Sequence, residues 1–315
     1  MRFFVALFVL PKEQEVNTMK TQRYGLELEF TGIKRGTAAN SIANVLGAQA
    51  QYVGGGYSAY EIKAADGRKW KVMYDSSIRA ESGADSTMNS EYKCEFVTPI
   101  CTYADIETIQ EIVRAIRRAG GKVNESCGIH VHIDASGHTA KSLRNLANIM
   151  ASKETLLFKA LEVNPARYDR WCKKVDDNML TKLDSRKPKT LEEVKRIWYN
   201  GDTSRCYQHY DNSRYHALNL HAVWQKGTVE FRMFNSTLHA GKVKSYIQLC
   251  LAISAQAKRQ KGACRKETVS TNPKYTFRTW LIRLGLNGDE YKTARLHLLA
   301  NLEGDIAFHD GRRAA

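Results

Sequence analysis

At 315 residues, 43% of them hydrophobic and only 5 of them Pro, the chain can bury one large core or two modest ones and is too apolar for a collagenous or mostly disordered protein. No run approaches the roughly 20 apolar residues of a membrane-spanning helix. The formal charge is +15, and all of it lies in the second half: residues 1–140 carry 16 Lys/Arg and 16 Asp/Glu, and the remainder 32 and 17. Acids interrupt the longest basic stretch, Arg167 to Arg196, and no nucleic-acid signature accompanies it. Nucleic acid is therefore not the expected partner. A solvated basic face and a face serving an anionic substrate or nucleotide both remain open.

From the N-terminus, Phe3 to Leu10 is apolar and of signal-peptide core length, but only Arg2 precedes it and no small-residue cleavage site follows. Residues 1–18 are read as a dispensable extension ahead of Met19. Alternation of apolar and polar residues then predicts strands at Tyr24 to Thr31, Lys69 to Tyr74, Tyr92 to Val97, Gly128 to Ile133, His216 to Ala222 and Thr228 to Phe234. Helical periodicity marks Thr37 to Leu46, Ala104 to Ala119, Thr139 to Leu161, Leu191 to Tyr199 and Val243 to Ala257. Gly54-Gly55-Gly56 lacks the Lys-Ser/Thr of a phosphate loop and reads as a hairpin turn. Residues 261–315 read as a basic linker followed by a small helical tail, which leaves 19–260 as the main domain. Strands and helices mix without regular βαβ alternation, so the expected class is α+β with a mainly antiparallel sheet. The seven cysteines are scattered, with no Cys-x-x-Cys pair, which favours reduced thiols and a cytoplasmic location over disulfides or a zinc ribbon.

Three of the predicted strands carry two chemically active side chains at i and i+2, on one face and roughly 6 to 7 Å apart: Glu27 and Glu29, His130 and His132, Glu230 and Arg232. Their neighbours, such as Leu26, Leu28, Val131, Val229, Phe231 and Met233, are apolar and belong on the opposite face. One such pair would be an ordinary wet strand face. Three together describe a polar surface whose carboxylates would repel one another without a cation. Oxygen-rich ligation with one or two imidazoles suits Mg²⁺ or Mn²⁺ better than zinc. Glu95, before Pro99 at a strand end, and Asp75, in Asp-Ser-Ser, fit the same face; Asp75 also suits an ordinary turn.

These segments, in order, are Tyr-Gly-Leu-Glu-Leu-Glu-Phe at 24–30, Asp75-Ser-Ser, Glu95-Phe-Val-Thr-Pro, Cys-Gly-Ile-His-Val-His-Ile-Asp at 127–134, Arg-Tyr-x-x-Leu-Asn-Leu at 214–220 and Gly-Thr-Val-Glu-Phe-Arg-Met-Phe at 227–234. The set resembles the amidoligase family of carboxylate–amine ligases, which share the glutamine synthetase and glutamate-cysteine ligase fold. The resemblance implies a curved sheet of about six strands forming a catalytic funnel, with helices on its outer face. It also implies ATP in that funnel and Mg²⁺ or Mn²⁺ bridging its phosphates to the acids. By the same resemblance Glu27, His130 and Glu230 would match one metal, and Glu29 and Glu95 a second nearer the acceptor carboxylate. Arg232 would neutralise the transferring phosphoryl group, with Glu230 beside it as the other catalytic residue. His132, Arg214 and Asp75 are assigned to nucleotide or substrate binding, His132 without a settled role. The substrates would be small molecules or peptides bearing a carboxylate and an amine. Two other readings compete: a zinc hydrolase built on His130 and His132, and a basic nucleic-acid-binding module.

Overall fold

The computed structural model describes residues 19–81 and 90–307; the extension 1–18 lies outside them. Strand β1 (Tyr24–Phe30) buries Leu26, Leu28 and Phe30 on one face, as its alternation requires. Helix α1 (Arg35–Leu46) follows, and then a meander of β2 (Ala50–Gly54), β3 (Ala59–Lys63), β4 (Lys69–Tyr74) and β5 (Cys94–Val97). Helix α2 (Ile106–Arg118) buries Ile109, Ile112, Val113 and Ile116 as one stripe. It stops where Gly120 takes φ +99°, a left-handed conformation glycine adopts without a Cβ clash. Strand β6 (Gly128–Asp134) leads to the long α3 (Ala140–Leu161), whose start is fixed by a reciprocal cap between Thr139 and Ser142.

Three short helices follow: α4 (Pro165–Arg170), α5 (Asp177–Arg186) and α6 (Leu191–Trp198). Side chains of Asn164, Asp176 and Thr190 cap their N-termini. The chain then returns to the sheet through β7 (Leu218–Asn219), a five-residue α7 (His221–Gln225) and β8 (Thr228–Asn235), before α8 (Ala240–Arg259), α9 (Pro273–Arg283) and α10 (Lys292–Leu299). Phe277, Trp280, Leu281 and Leu298 of the last two helices, with Tyr291 just before the last, join the same apolar core as the sheet.

The eight strands form one sheet in the order β2-β3-β4-β5-β1-β6-β8-β7, every pairing antiparallel. This corrects the expected curved sheet of about six strands forming a funnel in the manner of glutamine synthetase. The sheet is open and not strongly curled, with β2 and β7 as its edges. The two additional strands are β2 and β3, of which β3 buries only Ile62, and one expected strand is shorter than its pattern implied. Gln51, Tyr52 and Val53 of β2 are all exposed, so that strand buries no face and leaves no alternation to read. The expected strand at His216 to Ala222 shrinks to two residues, because a helix begins at His221.

Within the sheet, β1 lies between β5 and β6, so its polar face is flanked on both sides. Register sets Glu29 opposite Glu95, Glu27 opposite His130, and His132 opposite Glu230. Between Ile129 and Val131 the β6–β8 register shifts, so that Ile129 faces Phe234 and Val131 faces Phe231. Strand β8 thus carries one extra residue there, a bulge at Arg232 and Met233 that simple alternation did not anticipate.

Candidate functional site

The polar face of β1, β5, β6 and β8 forms the floor of a cleft of about 790 Å³. Its walls come from Tyr57 beside the β2–β3 turn, Asp75 after β4, Trp171 after α4, and the turn carrying His209, Tyr210 and Arg214. Glu29, Glu95, His130 and Arg232 are buried where they line the cleft, and His132 and Glu230 are buried beside them on the same strands. Such a concentration of ionisable groups away from water is costly unless the groups compensate one another or a ligand does.

Part of the compensation is internal. Glu230, 1% exposed, accepts hydrogen bonds from Arg232 Nη1 at 2.5 Å and Asn219 Nδ2 at 2.5 Å. Burial opposes its charge, yet Arg232 and the two histidines hold its carboxyl far below the usual carboxylate range. At Glu27 burial again works against the anion, while His132, His130 and Lys226 outweigh it and keep the carboxyl well below its ordinary value. The contacts are His130 Nδ1 at 3.1 Å and Lys226 Nζ at 2.9 Å. Burial, with Arg232 nearby, lowers His130 to about 4, so the ring is neutral near pH 7 and has a lone pair to offer a metal.

The β5 side of the floor is less well compensated. Burial pushes the Glu29 carboxyl up to about 7, with Arg167 partly offsetting this and Asp75 adding to it. Glu29 Oε2 accepts the Gly128 backbone N–H at 2.6 Å. Burial and the carboxylates of Glu27, Glu29 and Asp75 hold Glu95 well above its usual range.

The donors fall into three overlapping groups whose ligand atoms lie within 4.8 Å of one another: Glu27, Glu95 and His130; Glu27, His132 and Glu230; Glu29, Asp75 and Glu95. Glu27 and Glu95 each belong to two of them. The chemistry fits a hard divalent cation, since oxygen donors dominate and no cysteine takes part. His132 supplies a second sign of fit: Nδ1 is bound to Thr228 Oγ1 at 3.0 Å, whereas the buried Nε2, 3.3 Å from Glu27 Oε1, makes no hydrogen bond. One nitrogen is oriented by its partner and the other faces the carboxylates of Glu27 and Glu230 at 3.3 and 3.7 Å, an arrangement suited to a metal-ligating histidine.

Asp75 sits both in a turn and beside the acids of the cleft. Its Oδ1 accepts from the N–H and hydroxyl of Ser77, each at 2.6 Å, as a turn residue does, and it also belongs to the third donor group. Arg214 lines the cleft, donates to the His209 carbonyl at 3.0 Å, and lies over the rings of Tyr210 and Tyr215. Three contributors were missed from the sequence. Lys226 sits one residue before the Gly227 turn, and nothing local set it apart from other basic residues. Asn219 reaches Glu230 only through the β7–β8 pairing. Arg167 was counted in the basic stretch yet is 2% exposed. The remaining cavities include one of about 360 Å³ past Glu27 and His132, lined by Leu26, Val97, Pro99 and Ile100.

All seven cysteines are free, and all but Cys264 are buried. Among the described residues no helix is long and apolar enough to cross a membrane.

Comparison with known proteins adds three findings. No curated protein matches the sequence. Among solved structures the chain is similar to a bifunctional glutathione synthetase from Pasteurella multocida, at 10% identity and a TM-score of 0.42, over 91% of this chain and 48% of that one. The chain therefore spans about half the length of that protein. Residues 20–254 match the family described as "Putative amidoligase enzyme", a span that contains the whole cleft floor, and the chain belongs to that amidoligase family.

Proposed function

We propose that the protein is an ATP- and Mg²⁺-dependent carboxylate–amine ligase that forms an amide bond through an acyl phosphate. The observation that carries the reading is the overlap of three metal-donor groups around Glu27 and Glu95, beside a buried guanidinium, in a chain of the amidoligase family. A carboxylate is a poor electrophile because its oxide is a poor leaving group. In this reading a carboxylate oxygen attacks the γ-phosphorus of ATP and ADP departs. The amine then attacks the acyl carbon, loses a proton, and inorganic phosphate leaves.

Glu27, Glu29, Glu95, His130, His132 and Glu230, with Asp75, would hold divalent cations, which supply charge neutralisation to phosphate oxygens. Arg232 lies on the same strand face as Glu230, which anchors one Nη and so fixes the guanidinium before substrate arrives. A positive group held in place beforehand costs no reorganisation when charge develops on the transferring phosphoryl group. Arg214, at the mouth, is suited to an anionic substrate group. The substrates are a carboxylate and an amine, small-molecule or peptide.

The test is a screen of carboxylate and amine mixtures for ADP release that requires both, with Mg²⁺ or Mn²⁺. Arg232→Lys keeps the charge but loses the planar fork, so turnover should fall by roughly 10² or more with little change in KM. Equal turnover removes Arg232 from the chemistry. ATP-independent hydrolysis that depends on zinc would replace the ligase reading altogether.

A further inference from the structure

Among the described residues four Lys or Arg side chains line the cleft, and three are accounted for. Arg232 is paired with Glu230, Lys226 with Glu27, and Arg214 is held by a carbonyl and two aromatic rings. Arg167 is different. It stands on α4, whose N-cap Asn164 and first-turn Pro165 fix the helix start, and its guanidinium forms part of the cleft wall beside Trp171. The residue is 2% exposed, and among the described residues no carboxylate lies within ion-pairing distance and Nε and Nη2 have no hydrogen-bond partner.

The guanidinium rests directly on the backbone of Gly128. A Cβ at that position would come within 2.1 Å of Nη2 and 2.5 Å of Cζ. The fold therefore leaves out a side chain on β6 to admit this cation, and then gives it no partner. Glu29 exerts the strongest negative field on it, but it spends one oxygen on the Gly128 N–H. A buried guanidinium without a counter-ion costs several kcal/mol as a bare structural element, which a stability role does not explain.

We propose that Arg167 is an anion-recognition residue of the cleft and that its partner is a carboxylate of the substrate. The inference rests on the reading of this cleft as the place where a carboxylate is activated, and it adds the group that receives that substrate's charge. A carboxylate suits the position better than a polyphosphate. Glu29, Asp75 and Glu95 crowd the same end of the floor, and a phosphate group, with its charges on one centre, would meet more repulsion beside them than one guanidinium offsets, whereas a carboxylate group places a single charge there. The guanidinium's planar donors match a carboxylate's two oxygens.

The experiment follows thermal unfolding of the full chain in EDTA without nucleotide, so that a failure of the ATP-dependent reading leaves this result measurable. The probes are glutarate and, separately, inorganic phosphate at matched ionic strength. Glutarate should raise the wild-type midpoint saturably, and phosphate should do so less. Arg167→Met should unfold at or above the wild-type temperature without ligand, because an uncompensated buried charge is gone. Its response to glutarate should vanish or need about tenfold more ligand, the scale of one charge-assisted contact. Arg167→Gln, which retains polarity, should lose the response in the same way and carries the test if the Met variant does not fold. A glutarate response unchanged in the variants, or absent in the wild type, overturns the proposal. A larger response to phosphate than to glutarate overturns the assignment to a carboxylate.

Discussion

The two faces of strands β1, β6 and β8 are buried to a similar degree and built on opposite principles. On one side Leu26, Leu28, Phe30, Val131, Val229 and Phe231 meet helices in a continuous apolar core, and burial there stabilises by about 25 cal/mol per Å². On the other side the same strands bury Glu29, His130, His132, Glu230 and Arg232, and atoms such as His132 Nε2 and Arg232 Nε have no partner. Neighbouring residues of a strand thus contribute with opposite sign. The apolar face supplies the stability that allows the polar face to hold charges in an arrangement that suits ligands better than it suits the fold.

The sharpest way to break this comparison is to cut the apolar face. Phe231→Ala, between Glu230 and Arg232 and fully buried, should cost about 3–5 kcal/mol, measured by chemical denaturation. A loss under about 1 kcal/mol would mean that β8 draws its stability from the polar network instead.

A smaller effect comes from a buried polar group outside the cleft. His138 is enclosed between Ser142 Oγ and Ser254 Oγ, each at 3.0 Å, and burial, with Lys258 nearby, lowers its pKa to about 3. The unfolded chain takes up this proton near the ordinary value of 6.5 and the folded chain does not. Its share of stability is therefore present above pH 6.5 and lost as pH falls toward 3. From pH 7 to pH 5 that share is about 2 kcal/mol. Glu29 and Glu154, both raised to about 7, act in the opposite direction, so the measurement is the difference in pH dependence between wild type and His138→Gln. The variant should lose about that much less on acidification; identical slopes would show that His138 is not held neutral.

The smallest expected stability change belongs to the polar face. Glu95→Gln removes a crowded acid while keeping its shape, so the unfolding free energy should shift by no more than about 1 kcal/mol, in either direction. Mn²⁺ should raise the wild-type unfolding temperature and should fail to raise that of this variant, since Glu95 is shared by two donor groups. A normal Mn²⁺ response would remove Glu95 from the metal site. Severe destabilisation would refute the contrast between the faces.

Much of the site was legible because strand periodicity is a local property. Side chains at i and i+2 share a face, so Glu27 with Glu29 and His130 with His132 could be paired without knowing which strands are neighbours. The apolar residues between them marked the buried side. Helix spans were legible for the same reason, as with the helix expected at Thr139 to Leu161 and found at Ala140–Leu161.

What only the tertiary structure decided is which of these pairs meet, and what else reaches them. Glu27 lies opposite His130, and Glu29 opposite Glu95, through hydrogen-bond registers between strands distant in sequence. The bulge at Arg232 adds a residue that no alternation rule foresees. Arg167 was one more charge in a basic stretch until α4 laid its guanidinium on Gly128. The periodicity of a strand is encoded in its own residues, but register, sheet edges and the burial of a lone cation depend on contacts between segments that the linear order keeps far apart.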